Sequence, residues 1–223
     1  MYKNIIFDCF GTLIDTGSGS IGAVRKILGN IGLDVDAKEF YSEWKSIKKK
    51  LMSDEKFFSE KDLFQISLKM MFDKYSINAD AEKVVKPMID TLFGDRKVFP
   101  DTRETLNSLD DMGIQYAIGS TTDTDSLYHF LKLNSLEFSY IFTSEDMKVY
   151  KPKESFYKTI LNKTGWKKDE TLFVGDSLVD DVMGPQSISM KAVLLDRKNQ
   201  FNDKCDIRPD YVITNLNELI SII

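Results

Sequence analysis

A small set of polar residues stands where short apolar runs end. Ile5-Ile6-Phe7 runs into Asp8. The stretch 116–120 closes on Ser120, with Thr121 next. Lys151 precedes Pro152 in the segment after 140–143. The stretch 171–175 leads into Asp176 and Ser177, with Asp180 and Asp181 close behind. Taken one at a time, these residues have ordinary roles: an aspartate capping a turn, a serine bonding nearby backbone, a solvated lysine, an acidic pair at a helix start. Taken together, they are a carboxylate, a hydroxyl, an ammonium and an acidic cluster. Such a set supplies a nucleophile, a donor to a phosphoryl oxygen, a charge stabiliser and a divalent-cation site.

The elements that must position them follow from periodicity. Ile5-Ile6-Phe7 is apolar on both faces, as a central parallel strand requires. Strand candidates at 116–120, 140–143, 171–175, 192–195 and 211–213 alternate with helical stretches near 101–112, 123–133, 154–164 and 178–185; residues 217–222 close the chain as a further helix. That alternation predicts an α/β, Rossmann-like three-layer core with a parallel sheet and right-handed crossovers. The polar residues then share the carboxyl ends of the strands, where open α/β sheets bind ligands. Between the first strand and the rest the period is purely helical. Ile21, Val24, Leu28 and Ile31 form one stripe, and Phe40, Trp44, Ile47 and Leu51 a second. Phe64, Leu68, Met71 and Tyr75 form a third; Val85, Met88 and Leu92 form a fourth, interrupted by Pro87. The expected organisation is a catalytic core of residues 1–15 and 99–223, with residues 16–98 inserted as an all-helical four-helix subdomain. Its hinges are 16–20 (Thr-Gly-Ser-Gly-Ser) and the residues near 93–100.

Composition narrows the function classes. The chain of 223 residues is 42% hydrophobic and 29% charged, which fits a globular protein and excludes wholesale disorder or a disulfide scaffold. Cys9 and Cys205 match no zinc or redox spacing and read as free thiols in a reducing compartment. The apolar runs are too short for a signal peptide or a bilayer span, so a cytoplasmic location without membrane association is expected. A net charge of −5 disfavours nucleic acid as a partner. The charge is uneven: residues 16–98 hold 15 basic and 13 acidic residues, so a slightly basic insertion sits in an acidic frame. That polarity suits a small anionic substrate. The sequence leaves monomer and homodimer equally open.

The motifs, read in order, resemble those of the haloacid dehalogenase-like (HAD) hydrolase superfamily over the whole chain. Asp8-Cys9-Phe10-Gly11-Thr12-Leu13 resembles the first motif, Ser120 the second and Lys151 the third. Gly175-Asp176-Ser177-Leu178-Val179-Asp180-Asp181 resembles the fourth, and the helical insertion matches the family's cap. The resemblance implies Asp8 as nucleophile, Ser120 and Lys151 as phosphoryl-binding and charge-stabilising groups, and Mg²⁺ as cofactor. It implies metal ligation by Asp8, the backbone carbonyl of Phe10, Asp176 and Asp181, the last acting through water or by orienting Lys151. Phe10, Gly11, Thr12 and Thr121 would support the substrate and the loops. Cys9 is expected to pack inward, and His129 to stand on a helix away from the motifs.

The first motif departs from the phosphatase pattern Asp-x-Asp, because Phe10 replaces the second aspartate, which serves those enzymes as general acid and base. The L-2-haloacid dehalogenase branch has an aromatic residue there and needs no acid, since halide leaves unprotonated. That branch, however, uses no metal, lacks the acidic fourth motif and has asparagine where Thr121 stands. Its cap arginine has no counterpart at matching spacing, Arg25 being displaced. A phosphonatase would need a Schiff-base lysine, and Lys45, Lys48, Lys49 and Lys50 read as a solvated face. The expected function is Mg²⁺-dependent hydrolysis of a small phosphorylated metabolite. The alternatives are carbon–halogen hydrolysis of a 2-haloacid and, in another class, binding of an anionic ligand with little turnover.

Overall fold

The computed structural model describes residues 1–202 and 205–223. Six strands form one sheet: β1 (Asn4–Phe7), β2 (Gln115–Ser120), β3 (Tyr140–Thr143), β4 (Thr171–Gly175), β5 (Lys191–Leu195) and β6 (Tyr211–Ile213). All pairs are parallel, in the order β3-β2-β1-β4-β5-β6. Strand β1 therefore lies in the middle, between β2 and β4, where the strand order reverses. Its apolar run is used on both faces. Ile5 and Phe7 pack into one core with Ile118, Leu127 and Phe130, while Ile6 packs into the opposite core with Phe156, Tyr157 and Phe173. This period-2 division explains why Ile5, Ile6 and Phe7 are all apolar up to Asp8.

Helices α1 (Gly19–Asn30), α2 (Ala37–Ser53), α3 (Glu60–Lys74), α4 (Ala81–Val84) and α5 (Lys86–Asp90) make up the cap, inserted between β1 and α6 (Pro100–Asp111). Then α7 (Thr124–Leu133), α8 (Ser144–Met147), α9 (Glu154–Thr164) and α10 (Gly184–Ser187) cover the sheet. The cap has its own core, built from Val24, Ile27, Phe40, Trp44, Phe64, Leu68, Met71 and Met88. Trp44 is buried there, and its indole donates to Ser67 Oγ at 2.7 Å, so its polar edge is satisfied. Caps set the helix starts: the Asp36 carboxylate accepts from the amides of Lys38 and Glu39, and the Ser59 hydroxyl accepts from that of Asp62. Among the described residues, no helix is long and apolar enough to cross a membrane.

The structure departs from the periodicity in particulars. The fourth cap helix is broken into α4 and α5 and ends in a 3-10 turn, Thr91–Phe93. Pro87 lacks an amide to continue the ladder and sits at the start of α5. Tyr75, placed on the third apolar stripe, is exposed at the end of α3 and donates its hydroxyl to Glu43. The glycine-serine hinge is shorter than expected, because α1 begins at Gly19. The helical stretch 178–185 opens as a π-turn, Leu178–Met183, before α10, and residues 217–222 fall largely in a 3-10 helix, Leu216–Ser221.

Candidate active site

Asp8 follows the last residue of β1, and its amide donates to Val174 O at 2.8 Å, continuing the pairing with β4. The turn after it is tight: the amides of Leu13 and Ile14 donate to Cys9 O, and that of Gly11 to Ile14 O. None of these bonds uses the carbonyl of Phe10. Gly11 holds φ +98°, and a Cβ there would come within 2.5 Å of the Asp176 carboxylate. A glycine is required on both counts. Gly175 at the end of β4 plays the same part for Asp181, whose carboxylate would lie 2.3 Å from an added Cβ. Two glycines thus let two carboxylates close on the end of β1.

Three charged side chains lock together beside the sheet. Lys151 Nζ donates to Asp8 Oδ1 and to Asp181 Oδ1, each at 2.7 Å, and all three residues are buried. Asp181 Oδ2 accepts from the Ser177 amide at 2.9 Å, and the Thr12 hydroxyl donates to Asp8 Oδ2 at 3.3 Å. The π-turn after β4 is what aims Asp181 back at the strand end: its amide returns to Ser177 O at 2.8 Å. Burial pushes the Asp8 carboxyl up to about 7, with Lys151 pulling the other way and Asp181 and Asp176 adding to the rise. Burial would lower Lys151, but Asp181 and Asp8 outweigh it and hold its ammonium above the ordinary value. Asp176 keeps solvent contact at the mouth; desolvation by the surrounding loops, then Asp181, pushes it up to about 6.

Carboxylate oxygens of Asp8, Asp176 and Asp181 all lie within 4.8 Å of one another. Three hard oxygen donors at that spacing fit a small divalent cation, and mutual repulsion is what a cation there would relieve. Ser120 is buried at the end of β2, beside β1, and makes no side-chain hydrogen bond to another described residue. Thr121 follows it with its hydroxyl buried and unpartnered. The sequence-derived residues Asp8, Phe10, Gly11, Thr12, Ser120, Thr121, Lys151, Asp176 and Asp181 therefore all fall at the strand ends, or in the turns that follow them, along one edge of the sheet. Phe10 packs edge-to-face on Phe130, with centroids 5.3 Å apart. Cys9 is fully buried in the main core, and burial drives its thiol up, away from thiolate. His129 packs between Phe93 and Phe130, not among the carboxylates.

Several contributors escaped sequence reasoning. Arg197 donates to Thr12 O at 2.9 Å while paired with Asp101 and lying 3.8 Å from the Phe99 ring centroid, which braces the turn after Asp8. The Tyr157 hydroxyl donates to Asp180 O, and Gly184 leaves the room it needs. Asp123 crosses from core to cap: its carboxylate accepts from the amides of Glu60 at 2.6 Å and Lys61 at 3.2 Å, capping α3. Phe57 stacks on Tyr150 with centroids 4.7 Å apart, and the Phe58 amide donates to the Tyr150 hydroxyl at 2.7 Å. Arg96 arrives from the second linker and lies over Phe10. Each depends on a contact across many residues, and Arg96 sits between Asp95 and Lys97 in what reads as a solvated charge run.

The chain is similar to known proteins in sequence and in fold. Residues 5–195 match the family described as haloacid dehalogenase-like hydrolase. The chain is 28% identical to a glyceraldehyde 3-phosphate phosphatase of Methanocaldococcus jannaschii, over 100% of this chain and 97% of that one. It is 32% identical to haloacid dehalogenase-like hydrolase domain-containing protein 3 of Danio rerio, over 55% of this chain and 51% of that protein. Among solved structures, a magnesium-bound HAD-hydrolase of Bacillus subtilis superposes with a TM-score of 0.80 at 20% identity, covering 99% and 98% of the two chains. The L-2-haloacid dehalogenase of Xanthobacter autotrophicus gives 0.76 at 17% identity, covering 100% and 98%. At such identities the two superpositions speak to fold, and the family match settles membership: the chain belongs to the haloacid dehalogenase-like hydrolases.

Proposed function

We propose that the protein is a Mg²⁺-dependent phosphohydrolase that uses Asp8 as nucleophile on a small phosphate ester. The observation that carries this reading is the convergence of Asp8, Asp176 and Asp181 within 4.8 Å. Hydrolysis of a carbon–halogen bond has no use for such a carboxylate cluster. The full-length similarity to a glyceraldehyde 3-phosphate phosphatase adds support. Asp8, Asp176 and the Phe10 carbonyl would hold the cation. Asp181, with both oxygens engaged by Lys151 and the Ser177 amide, would chiefly position Lys151. A bound Mg²⁺ supplies screening of the repulsion between a carboxylate nucleophile and phosphoryl oxygens.

The chain's own groups then act in sequence. Lys151 favours the ionised form of Asp8 against the effect of burial and holds it in place, with Thr12 fixing the other oxygen. Asp8 attacks phosphorus, the bond to the ester oxygen breaks, and an aspartyl phosphate forms. Ser120 donates to a phosphoryl oxygen as charge builds. Water then attacks phosphorus, releasing phosphate and regenerating Asp8. Position 10 offers no proton to the leaving alkoxide, so that proton comes from solvent, and esters with acidic leaving groups are favoured. The cap, proposed to span residues 16–98, would open and close about its two linkers to admit substrate.

The carbon–halogen reading has one observation of its own, the aromatic Phe10 at the site's mouth. A panel of phosphate esters, phosphonates and 2-haloacids, each with and without Mg²⁺, separates the readings. Metal-dependent phosphate release supports the proposal. Halide release without metal would replace it, and binding without turnover would point to a ligand-binding protein.

A further inference from the structure

Past Phe10 and Thr121 the site opens into a cavity of about 340 Å³, walled on the other side by Tyr41, Lys48 and Phe64 of the cap and by Arg96 of the linker. Its walls mix the rings of Phe10, Tyr41 and Phe64 with hydroxyls such as those of Thr121 and Thr122, and two cations and one carboxylate, Glu60, reach it. Lys48 is matched by Glu60 at 3.4 Å. Arg96 has no such pair: Glu60 acts on it only at a distance, its two oxygens being taken by Lys48 and the Thr122 hydroxyl. It is half-buried, with its guanidinium carbon 5.5 Å from the Phe10 ring centroid and 5.2 Å from that of Phe130. Its side chain makes no hydrogen bond or ion pair with any described residue. Arg197, at the opposite side of the Asp8 turn, spends its terminal nitrogens instead, with two bonds to Asp101 and one to a carbonyl, and leaves only its Nε without a partner.

A guanidinium has five donors, and withdrawing it from water without acceptors is costly. Burial accordingly weakens the basicity of Arg96. The aromatic faces return part of the cost and hold the fork flat, but leave its donors open. The Thr121 hydroxyl, on the same cavity, is fully buried without a partner, whereas the Arg96 donors keep some contact with solvent. Two open donors on one cavity mark a place where a ligand brings the acceptors. The phosphoryl group undergoing transfer would be held at Asp8, Ser120 and Lys151, so the group reaching this cavity belongs to the leaving portion.

We propose that Arg96 sets substrate specificity by binding a second anionic group, a carboxylate or a second phosphate, on the leaving portion of the phosphate ester. The proposal rests on the phosphohydrolase reading of Asp8. The cavity's size limits that portion to a small molecule. Lys48, already shared with Glu60, would contribute less.

Three esters test it in the presence of Mg²⁺: ethyl phosphate, with a neutral tail; 2-phosphoglycolate, with a carboxylate; and ethane-1,2-diol bisphosphate, with a second phosphate. Binding is measured by calorimetry in an Asp8→Asn background, and kcat and KM with Asp8 intact. A charged tail is expected to improve affinity about 10-fold or more, the usual worth of charge-assisted hydrogen bonds. Arg96→Gln should shrink that advantage to within about 2-fold, mainly through KM, and Arg96→Lys should keep an intermediate share. Melting temperatures show that the variants are folded, and Arg96→Lys retains charge and stem if Arg96→Gln does not fold. A gain for only one of the two tails supports the proposal and identifies the anion. Equal affinity for all three esters, or a charged-tail advantage indifferent to both Arg96 substitutions, overturns it while leaving the phosphohydrolase reading intact. If no phosphate ester binds or turns over, both fall together.

Discussion

Charge is treated in opposite ways on the two sides of Phe10. On the core side, Lys151 is shared between two carboxylates at 2.7 Å, and each carboxylate has a further donor from Thr12 or Ser177. On the cap side, Arg96 lies over two aromatic rings with its donors unspent. The first arrangement is preorganised: its geometry is paid for in folding and does not wait for substrate. The second is incomplete until something anionic arrives. The contrast separates the chemistry, which every substrate shares, from recognition, which must differ between substrates. It also explains why one fold can host many specificities.

The contrast breaks most sharply at the core. Asp8→Asn should abolish turnover, by about 10⁴-fold or more, since no other buried carboxylate is placed to attack. Phosphate release from nitrophenyl phosphate with Mg²⁺ reads this directly. Lys151→Met comes next. It leaves Asp8 and Asp181 facing each other unpaired, so turnover should drop by about 10²–10³-fold and stability by about 3–5 kcal/mol. Denaturant titration beside the rate assay checks both. A small stability loss would mean that the carboxylates relax or take up protons on losing the lysine.

These core residues were legible in sequence because each stands at a strand's carboxyl end, as Asp8, Ser120 and Asp176 do, or in the connection that leaves it, as Lys151 does after β3 and α8. Asp8, Ser120, Lys151 and Asp176 needed only strand ends and a parallel topology to be brought together. The six strands were legible for the same reason, since Ile5-Ile6-Phe7 and its partners are short runs bounded by turn residues. The broken fourth cap helix was visible only as Pro87, because propensity marks a disruption without saying how the chain resolves it. The cap-side residues were hidden. Arg96 and Asp123 take their meaning from contacts with Phe10 and with the amides of Glu60 and Lys61, more than 60 residues away in each case. Local pattern carries no trace of such pairings.

Asp123 sharpens the comparison at the seam between the two sides. Asp123→Ala removes the cap of α3 from across the seam, which should cost about 1–2 kcal/mol. It should also loosen residues 54–60 against Tyr150, giving faster proteolytic cleavage there and a higher KM. Unchanged cleavage would show that the Phe57–Tyr150 stack alone holds the cap down.

A smaller effect concerns protons. Asp8 and Asp176 are raised from 3.8 to about 7 and about 6, so the folded chain keeps protons that the unfolded chain has released. The stability they contribute is present in full below about pH 4 and is lost as pH rises through 6 and 7. Without metal, the melting temperature should fall between pH 5 and pH 8. Millimolar Mg²⁺ competes with those protons, so it should restore about 2–4 °C at pH 8 and less at pH 5. Scanning calorimetry with and without chelator measures both slopes. A metal effect of equal size at both pH values would place the cation away from these carboxylates.

The subtlest change is Phe10→Asp, which restores the acid of the phosphatase pattern. A well-placed general acid is worth about 10²–10⁴-fold on alkyl phosphates. Here the new carboxylate would stand beneath Arg96, which now lies 5.5 Å from the Phe10 ring centroid. An adjacent guanidinium lowers a carboxyl's pKa and keeps it ionised, the wrong state for protonating a leaving group. The variant should therefore gain no more than about 10-fold on ethyl phosphate near neutral pH, with the larger gain appearing only at lower pH. Adding Arg96→Gln should free the carboxyl and move the gain toward neutral pH, at the expense of affinity for charged tails. The pH–rate profiles of the single and double variants decide it. A full gain in Phe10→Asp alone would show that the guanidinium swings away from position 10 when the site is charged, and that the two sides of Phe10 are less separate than their geometry makes them.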